Sequence, residues 1–357
     1  MTTVATAALA AAASSVERTL VCSDGVKLAV RQWRSSNVET TGTTGRIMCL
    51  HGWLDNCASF DLVAPALSQR FPSHDIVALD FPGHGLSSHK SADAPPQLLA
   101  EYAFYVAEAV DCLEWSQSSL IVVGHSMGAG VGVAYAASFP ERVSSLVLLE
   151  GAGPLARPAR DCSKHMRAAI DRRLSYNRVL YPNGSTHEES KKAARVYPSM
   201  DVAVNTRRTT ARLSPGKQSL SHEAAQALVE RSTLSTPTLE HPQGISFRHD
   251  PRLQWPSLQY LTHEQVESLW KDIQCPTCLL LATNGWPFDT KSFDTCKTLL
   301  QPTHFETLDG SHHFHRDPET AGPVIDQVIA FLENENSATL LNSNNAANQE
   351  EETLLSK

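Results

Sequence analysis

The chain has 357 residues, of which 41% are hydrophobic and 19% are charged, and these proportions are typical of an ordinary globular protein. Its formal charge of −8 argues against a general nucleic-acid or anionic-membrane binder, because such surfaces repel negative charge. No apolar run approaches the roughly 20 residues that cross a bilayer, so we predict no transmembrane segment.

The two ends of the chain differ in composition from the rest. Residues 1–16 are rich in Ala, Thr and Ser, and residues 336–357 are polar and low in complexity. We predict that both ends are disordered. The eight cysteines are scattered and nothing resembles a secretory signal, so we expect reduced thiols in a cytoplasmic compartment.

Strands and helices alternate along the first half of the chain. Strands are predicted over residues 18–22, 27–33, 47–50, 76–79, 120–123 and 143–149. Helices are predicted over residues 60–71, 98–115 and 129–138. Because most of these strands are apolar throughout and are separated by helices, they indicate a mostly parallel α/β sheet with helices on both faces.

This alternation stops between about residues 155 and 270, where charges and helix-like patches replace apolar strand runs. It resumes with strands over 277–281 and 304–308 and helices over 292–300 and 323–335. We therefore predict a core formed by residues 17–154 and 271–335. A helical cap at residues 155–270 interrupts this core after the strand that ends near Leu149.

The predicted cap is rich in basic residues between positions 157 and 217. Among them are Arg167, Arg172, Arg173, Lys191, Lys192, Arg195, Arg207 and Arg208. A basic surface of this kind would attract an anionic substrate. A solvated helical face explains the same composition and is the simpler interpretation.

The pentapeptide Gly124-His125-Ser126-Met127-Gly128 indicates a serine nucleophile. It matches the Gly-x-Ser-x-Gly pattern, in which the serine lies on a sharp strand-to-helix turn that exposes its hydroxyl. Glycine is needed on either side because a Cβ would collide with the neighbouring strand or helix. A predicted strand precedes the motif and a helix of small residues follows it, as the pattern requires. We therefore predict that Ser126 is the nucleophile.

A second motif, His51-Gly52-Trp53, follows the strand predicted over residues 47–50. Gly52 allows the backbone to approach a substrate closely. We expect the backbone N–H groups of Trp53 and Met127 to bind the oxyanion that forms during acyl transfer. The side chain of Trp53 is then expected to form part of the pocket wall.

The base that activates Ser126 is expected after the last strand. The segment Gly310-Ser311-His312-His313-Phe314-His315 lies there, and both His312 and His313 are candidates. Three histidines within four residues of a loop cannot all face one metal ion without help, and no acidic partner pattern accompanies them. We therefore predict no metal site.

The acid that orients the base is expected after the preceding strand, which makes Asp289 the first choice. Asp294 follows it, on the helix predicted over residues 292–300. Glu150 is the alternative, at the end of the strand that comes after the helix following Ser126.

With these residues in place, the chain from about residue 19 to residue 332 resembles the α/β-hydrolase superfamily. Within it, the chain is similar to the serine hydrolase-like proteins of the kraken type. The resemblance is carried by His51-Gly52-Trp53-Leu54-Asp55-Asn56, Ser59-Phe60-Asp61, Asp80-Phe81-Pro82-Gly83-His84-Gly85-Leu86-Ser87-Ser88-His89, the pentapeptide around Ser126, and Arg248-His249-Asp250-Pro251-Arg252-Leu253.

The resemblance implies an α/β-hydrolase fold with a helical cap, no cofactor, and hydrolysis of a small-molecule carboxylic ester or thioester through an acyl-enzyme on Ser126. It implies His312 as the base, since the family has Gly-x-His with a second histidine three residues on, here His315. Some members of the fold use the position of Glu150 for the acid. Peroxisomal or vesicle-associated members make those locations alternatives to the cytoplasm. The alternative function is a ligand-binding or receptor-like protein with little turnover.

Overall fold

The computed structural model describes residues 14–34, 45–91, 94, 98–181, 195–335 and 337. Of the residues 1–16 predicted to be disordered, residues 1–13 lie outside the described residues. Residues 15 and 16 belong to the first strand. The predicted tail at residues 336–357 lies outside them apart from residue 337. Lys191 and Lys192 of the predicted basic cap also lie outside the described residues.

An eight-stranded sheet forms the centre of the molecule. Its strands are β1 (Ser15–Val21), β2 (Lys27–Trp33), β3 (Gly45–Leu50), β4 (His74–Leu79), β5 (Leu120–His125), β6 (Val143–Leu149), β9 (Thr277–Asn284) and β10 (His304–Ser311). They lie in the order β1-β2-β4-β3-β5-β6-β9-β10. Neighbours from β4 to β10 pair in parallel, whereas β2 is antiparallel to both β1 and β4.

Both faces of this sheet are apolar, because successive side chains of a strand point to opposite faces. On β3, Met48 and Leu50 enter one hydrophobic core, and Ile47 and Cys49 enter the other. All four side chains are fully buried. The predicted mostly parallel sheet with helices on both faces is therefore confirmed.

Helices cover each face. The first core is closed by α2 (Leu99–Cys112), α3 (Met127–Ser138), α7 (His263–Asp272) and α8 (Thr290–Leu300). The second core is closed by α1 (Val63–Arg70) and by α9, at residues 321–335. Helix α2 illustrates the local cause, since its buried residues Tyr102, Tyr105, Val106 and Ala109 recur at three- and four-residue spacing.

The segment between β6 and β9 forms a smaller layer of its own. It contains α4 (Cys162–Leu180), α5 (Met200–Arg212), α6 (His222–Ser232) and a hairpin of β7 (Thr233–Ser235) and β8 (Ile245–Phe247). Helices α5 and α6 share a separate apolar core that includes Val204 and Leu228. Helix α7 differs, because its Val266 and Trp270 pack into the first core of the sheet.

None of the helices in the described part of the chain has the length and apolar composition needed to span a bilayer. All eight cysteines are free thiols.

Candidate active site

Ser126 lies on the turn between β5 and α3, at the carboxyl end of the parallel strands. Its backbone has φ 53° and ψ −114°, a conformation that is strained for any residue with a side chain. A Cβ on Gly124 would lie 2.7 Å from the Ala129 Cα, and one on Gly128 would lie 2.0 Å from the Leu50 carbonyl oxygen. Glycine at these two positions therefore lets the turn close.

His312 contacts Ser126 directly. Its Nε2 lies 2.9 Å from the Ser126 Oγ, and its Nδ1 lies 2.9 Å from Glu150 Oε2. A carboxylate can only accept a hydrogen bond, so Nδ1 carries the proton and Nε2 is left to accept one from the serine hydroxyl. The loop that holds His312 is fixed at its backbone, since its N–H donates to Gln218 Oε1 over 2.8 Å and its carbonyl oxygen contacts His125 Nε2 at 2.8 Å.

Glu150 follows β6 and is almost completely buried, with 2% of its surface exposed. Its backbone has φ 51°, which aims the side chain across the ends of β9 and β10. Besides the bond from His312, its carboxylate accepts hydrogen bonds from the backbone N–H groups of Ala282 (2.6 Å) and Trp286 (2.8 Å). These bonds hold the negative charge in a fixed position beside the imidazole.

The structure corrects the choice of Asp289 as the acid. Asp289 is exposed and caps the amino end of α8, where its Oδ2 accepts a hydrogen bond from the Ser292 N–H over 2.9 Å. These hydrogen bonds with Ser292 lower the pKa of Asp289. The ring nitrogens of His312 instead contact Glu150 and Ser126. Asp294 is exposed and pairs with Lys297 on α8.

Two glycines could have indicated Glu150 from the sequence. Gly151 follows it directly, and a Cβ there would lie 2.7 Å from the Ala129 Cβ and 2.8 Å from the Ser126 carbonyl oxygen. Gly285 follows β9, and a Cβ there would lie 2.2 Å from Glu150 Oε1. A Glu-Gly pair after one strand, together with a glycine after the neighbouring strand of the sheet, therefore indicates this geometry.

His313, the alternative base, points away from the serine. Its Nε2 lies 3.0 Å from Asp55 Oδ2, and the other carboxylate oxygen of Asp55 accepts a hydrogen bond from Arg207 over 2.7 Å. Burial lowers the pKa of His313. Burial opposes ionisation of Asp55 as well, but His313 and Arg207 together hold the pKa of its carboxyl well below the ordinary value. Arg207, on α5, thereby ties the smaller layer to the loop after β3.

Two further histidines pack behind the base. The rings of His125 and His315 lie 4.1 Å apart between centroids, and His315 Nε2 contacts the Ser59 hydroxyl at 2.8 Å. Burial lowers the pKa of both histidines well below the ordinary value, so both are neutral at physiological pH. Within the described residues, no three His, Cys, Asp or Glu side chains are arranged to hold a metal ion.

The residues expected to bind the oxyanion lie on adjoining segments. The collision that a Cβ on Gly128 would make with Leu50 and His51 oxygens shows that the start of α3 packs directly against the end of β3. Met127 begins α3, and Trp53 lies two residues beyond His51. The Trp53 side chain is exposed, and its indole N–H donates to the Leu253 carbonyl oxygen over 3.0 Å.

Several arginines of the predicted basic cap have partners within the protein. Arg207 binds Asp55, Arg173 donates to the Pro256 carbonyl oxygen over 2.9 Å, and the Arg195 guanidinium stacks on Tyr197. These three side chains therefore serve local packing.

The chain is similar in sequence and in structure to known proteins. A family profile described as the alpha/beta hydrolase fold matches residues 45–181. A serine hydrolase-like protein of Danio rerio is 31% identical over 294 residues, covering 79% of this chain and 81% of that protein. Serine hydrolase-like protein 2 of Homo sapiens is 30% identical over 298 residues, covering 79% of this chain and 86% of that protein. The crystal structure of a hypothetical protein from Pseudomonas aeruginosa superposes with a TM-score of 0.71 at 30% identity, covering 89% of this chain and 99% of that one.

Proposed function

Because the chain belongs to the serine hydrolase-like family of the α/β-hydrolase fold, we propose that it hydrolyses a carboxylic ester or thioester through an acyl-enzyme on Ser126. One observation carries the proposal: His312 lies 2.9 Å from the Ser126 hydroxyl and 2.9 Å from the buried Glu150 carboxylate. This is the arrangement of nucleophile, base and orienting acid that acyl transfer requires.

In the first half of the reaction, the Ser126 Oγ attacks the carbonyl carbon of the substrate while its proton passes to His312 Nε2. Glu150 stabilises the imidazolium that results, because its carboxylate accepts the Nδ1–H bond. The backbone N–H groups of Trp53 and Met127 bind the oxyanion. His312 then gives its proton to the departing alcohol or thiol, which leaves the acyl group on the serine.

In the second half, a water molecule enters the site left by the alcohol or thiol. His312 takes a proton from this water as its oxygen attacks the acyl carbon. Collapse of the second tetrahedral intermediate breaks the bond to Ser126 and returns the proton to the serine oxygen. The cycle consumes one water and needs no cofactor.

We assign most of residues 155–270 to a cap over this site. In support, the loop between α5 and α6 reaches the base: Gln218 accepts a hydrogen bond from the His312 N–H, and Ser219 contacts Ser311. The Trp286 ring lies 6.0 Å from the His312 ring between centroids and is partly exposed, which suits it to contact the substrate. The eight free thiols favour a reducing, cytoplasmic location.

The proposal is tested by covalent labelling with a fluorescent fluorophosphonate. Wild-type protein is expected to be labelled and Ser126→Ala is not, whereas Ser175→Ala, a change at an exposed serine on α4, is expected to be labelled like the wild type. Labelling that persists in Ser126→Ala contradicts the nucleophile assignment.

Turnover is measured on p-nitrophenyl esters from acetate to laurate and on matching thioesters. We expect Ser126→Ala to lose at least a thousandfold in kcat/KM on the best substrate. Labelling of Ser126 without turnover of any ester or thioester would instead support the receptor-like alternative.

A further inference from the structure

Helix α4 lies on the surface of the molecule. Of its 19 residues, Ala169 is the one described side chain that is buried. Its inner side is held by two contacts: the His165 ring packs edge-on against Tyr260, and the Arg173 Nε donates to the Pro256 carbonyl oxygen. The other described side chains of the helix are exposed or half-buried.

A stripe of large apolar side chains runs along the helix beside the side that His165 and Arg173 hold. Met166, Ile170 and Leu174 are spaced by four residues and are 42%, 43% and 49% exposed. Side chains four residues apart lie on one face of a helix. Large exposed apolar patches on folded proteins mark binding sites, and we interpret this stripe as part of one.

Positive charge borders the stripe. Residues 157–181 contain seven Arg and Lys against two Asp, a balance of +5, although the whole chain carries −8. Successive helical residues are about 100° apart, so Lys164, Arg167 and Arg178 form a column beside Met166, Ile170 and Leu174. The column also contains Asp171, which pairs with Arg167 and leaves the column with a net positive charge. All three basic side chains are exposed.

We propose that this face of α4 binds the surface of an anionic lipid bilayer. A helix with an apolar stripe beside Lys and Arg lies in the plane of such a surface, with the apolar side chains among the acyl chains and the cations at the headgroups. A second copy of the chain fits the face less well, because a twofold contact through α4 brings two patches of positive charge together. The attraction is local, so it is compatible with the negative charge of the whole chain.

Helix α4 is connected to the active site through one segment. The segment that α4 packs against contains Trp255 and Pro256, and nearby Leu253 accepts the indole N–H of Trp53. Leu155, between Glu150 and α4, is 58% exposed. A docked α4 thus holds this segment, and with it Trp53, near the lipid surface. If the proposed hydrolase function is correct, esters dissolved in a bilayer are then within reach of Ser126.

Flotation of the full chain with vesicles tests the binding. We expect binding to vesicles of phosphatidylcholine with 30% phosphatidylserine, weak binding to phosphatidylcholine alone, and release at high salt. Two independent variants are compared, I170E/L174E in the stripe and R167E/R178E in the basic column. Each is expected to lower the partition coefficient roughly tenfold or more.

Control variants carry similar changes elsewhere. Leu239→Glu alters a fully exposed leucine, and K27E/K271E reverses two exposed lysines on β2 and α7. These controls are expected to bind vesicles like the wild type, and all variants are expected to unfold at the same temperature and to react alike with the fluorophosphonate.

The proposal would be overturned if binding of the wild type did not depend on phosphatidylserine. It would also be overturned if the α4 variants bound vesicles like the controls. Variants of α4 that convert a dimer to a monomer without affecting flotation would overturn it as well. Failure of the hydrolase proposal is distinguishable, because it abolishes labelling and leaves flotation unchanged.

Discussion

Gly285 leaves open the space that the carboxylate of Glu150 occupies. A Cβ at position 285 would lie 2.2 Å from Glu150 Oε1 and 2.3 Å from Oε2, far closer than non-bonded atoms approach. The glycine after β9 thus makes room for an acid that is supplied by β6. The side chain that orients His312 and the residue that admits it are 135 positions apart in the chain.

Glu150→Gln is expected to lower kcat by about a thousandfold or more, since the amide keeps the shape of the side chain but loses the charge that orients and stabilises the imidazolium. The measurement is the steady-state hydrolysis of a p-nitrophenyl ester. Asp289→Asn is the matched control and is expected to change kcat by less than about threefold, because Asp289 only caps α8. If Asp289→Asn were the more damaging change, the assignment of Glu150 would fail.

Gly285→Ala is expected to displace the Glu150 carboxylate and lower kcat roughly ten- to a hundredfold. Gly322→Ala is the control, because no atom lies within 4 Å of the added Cβ on α9. Combining Gly285→Ala with Glu150→Gln distinguishes the cause. The double variant is expected to be no slower than Glu150→Gln alone, and additive losses would mean that Gly285 acts independently of the acid.

Arg231→Met is expected to destabilise the fold by about 3–5 kcal/mol, because it leaves the buried Asp80 without its cation. The Arg231 Nε lies 2.9 Å from Asp80 Oδ2, and its other nitrogens contact both oxygens of Glu17 on β1. The free energy of unfolding in urea is the readout. Lys297→Met breaks the exposed pair with Asp294 and is expected to cost less than about 1 kcal/mol. Similar losses for the two variants would contradict this account.

The free energy of unfolding is expected to fall as the pH drops below about 6.5. Burial holds the pKa of His84, His125 and His315 well below the ordinary value, so these histidines stay neutral in the folded state. In the unfolded chain they take up protons below pH 6.5, which favours unfolding. Each such histidine costs up to about 1.4 kcal/mol per pH unit in that range.

Urea denaturation between pH 5 and pH 8 measures this dependence. His315→Gln is expected to reduce the slope of unfolding free energy against pH between pH 5 and pH 6. The reduction corresponds to about one proton, or up to about 1.4 kcal/mol per pH unit. His222→Gln, at an exposed position on α6, is the control and is expected to leave the slope unchanged. A wild-type stability that stays level from pH 7 to pH 5 would show that the buried histidines accept protons without unfolding.

Much of the architecture could be predicted from local patterns. The apolar strands around Ile47, Val122 and Leu148 are buried on both faces and therefore lack polar alternation, which distinguishes them from the strands of a half-exposed sheet. The turn at Ser126 was also predictable, because Gly124 and Gly128 are required by neighbours within a few residues or on an adjacent strand.

Which carboxylate contacts His312 depended on the tertiary structure. Both Asp289 and Glu150 follow strands of the parallel sheet, so spacing along the chain gives both of them access to the same edge. The difference arises from where each backbone turns: Glu150 has φ 51° and aims across β9, whereas Asp289 begins α8 and is used as its cap. The direction of a side chain at the end of a strand is set by packing against elements far away in sequence, so local sequence propensity does not predict it.

The different contacts of His312 and His313 have the same origin. The sequence alone determined that a histidine after the last strand could reach Ser126, and the resemblance to a known family favoured His312. Only the tertiary structure gave His313 a partner, by bringing Asp55 from the loop after β3 and Arg207 from α5 to the same place. Adjacent residues in a loop point in different directions, so the contacts that each can make are decided by which distant groups surround them.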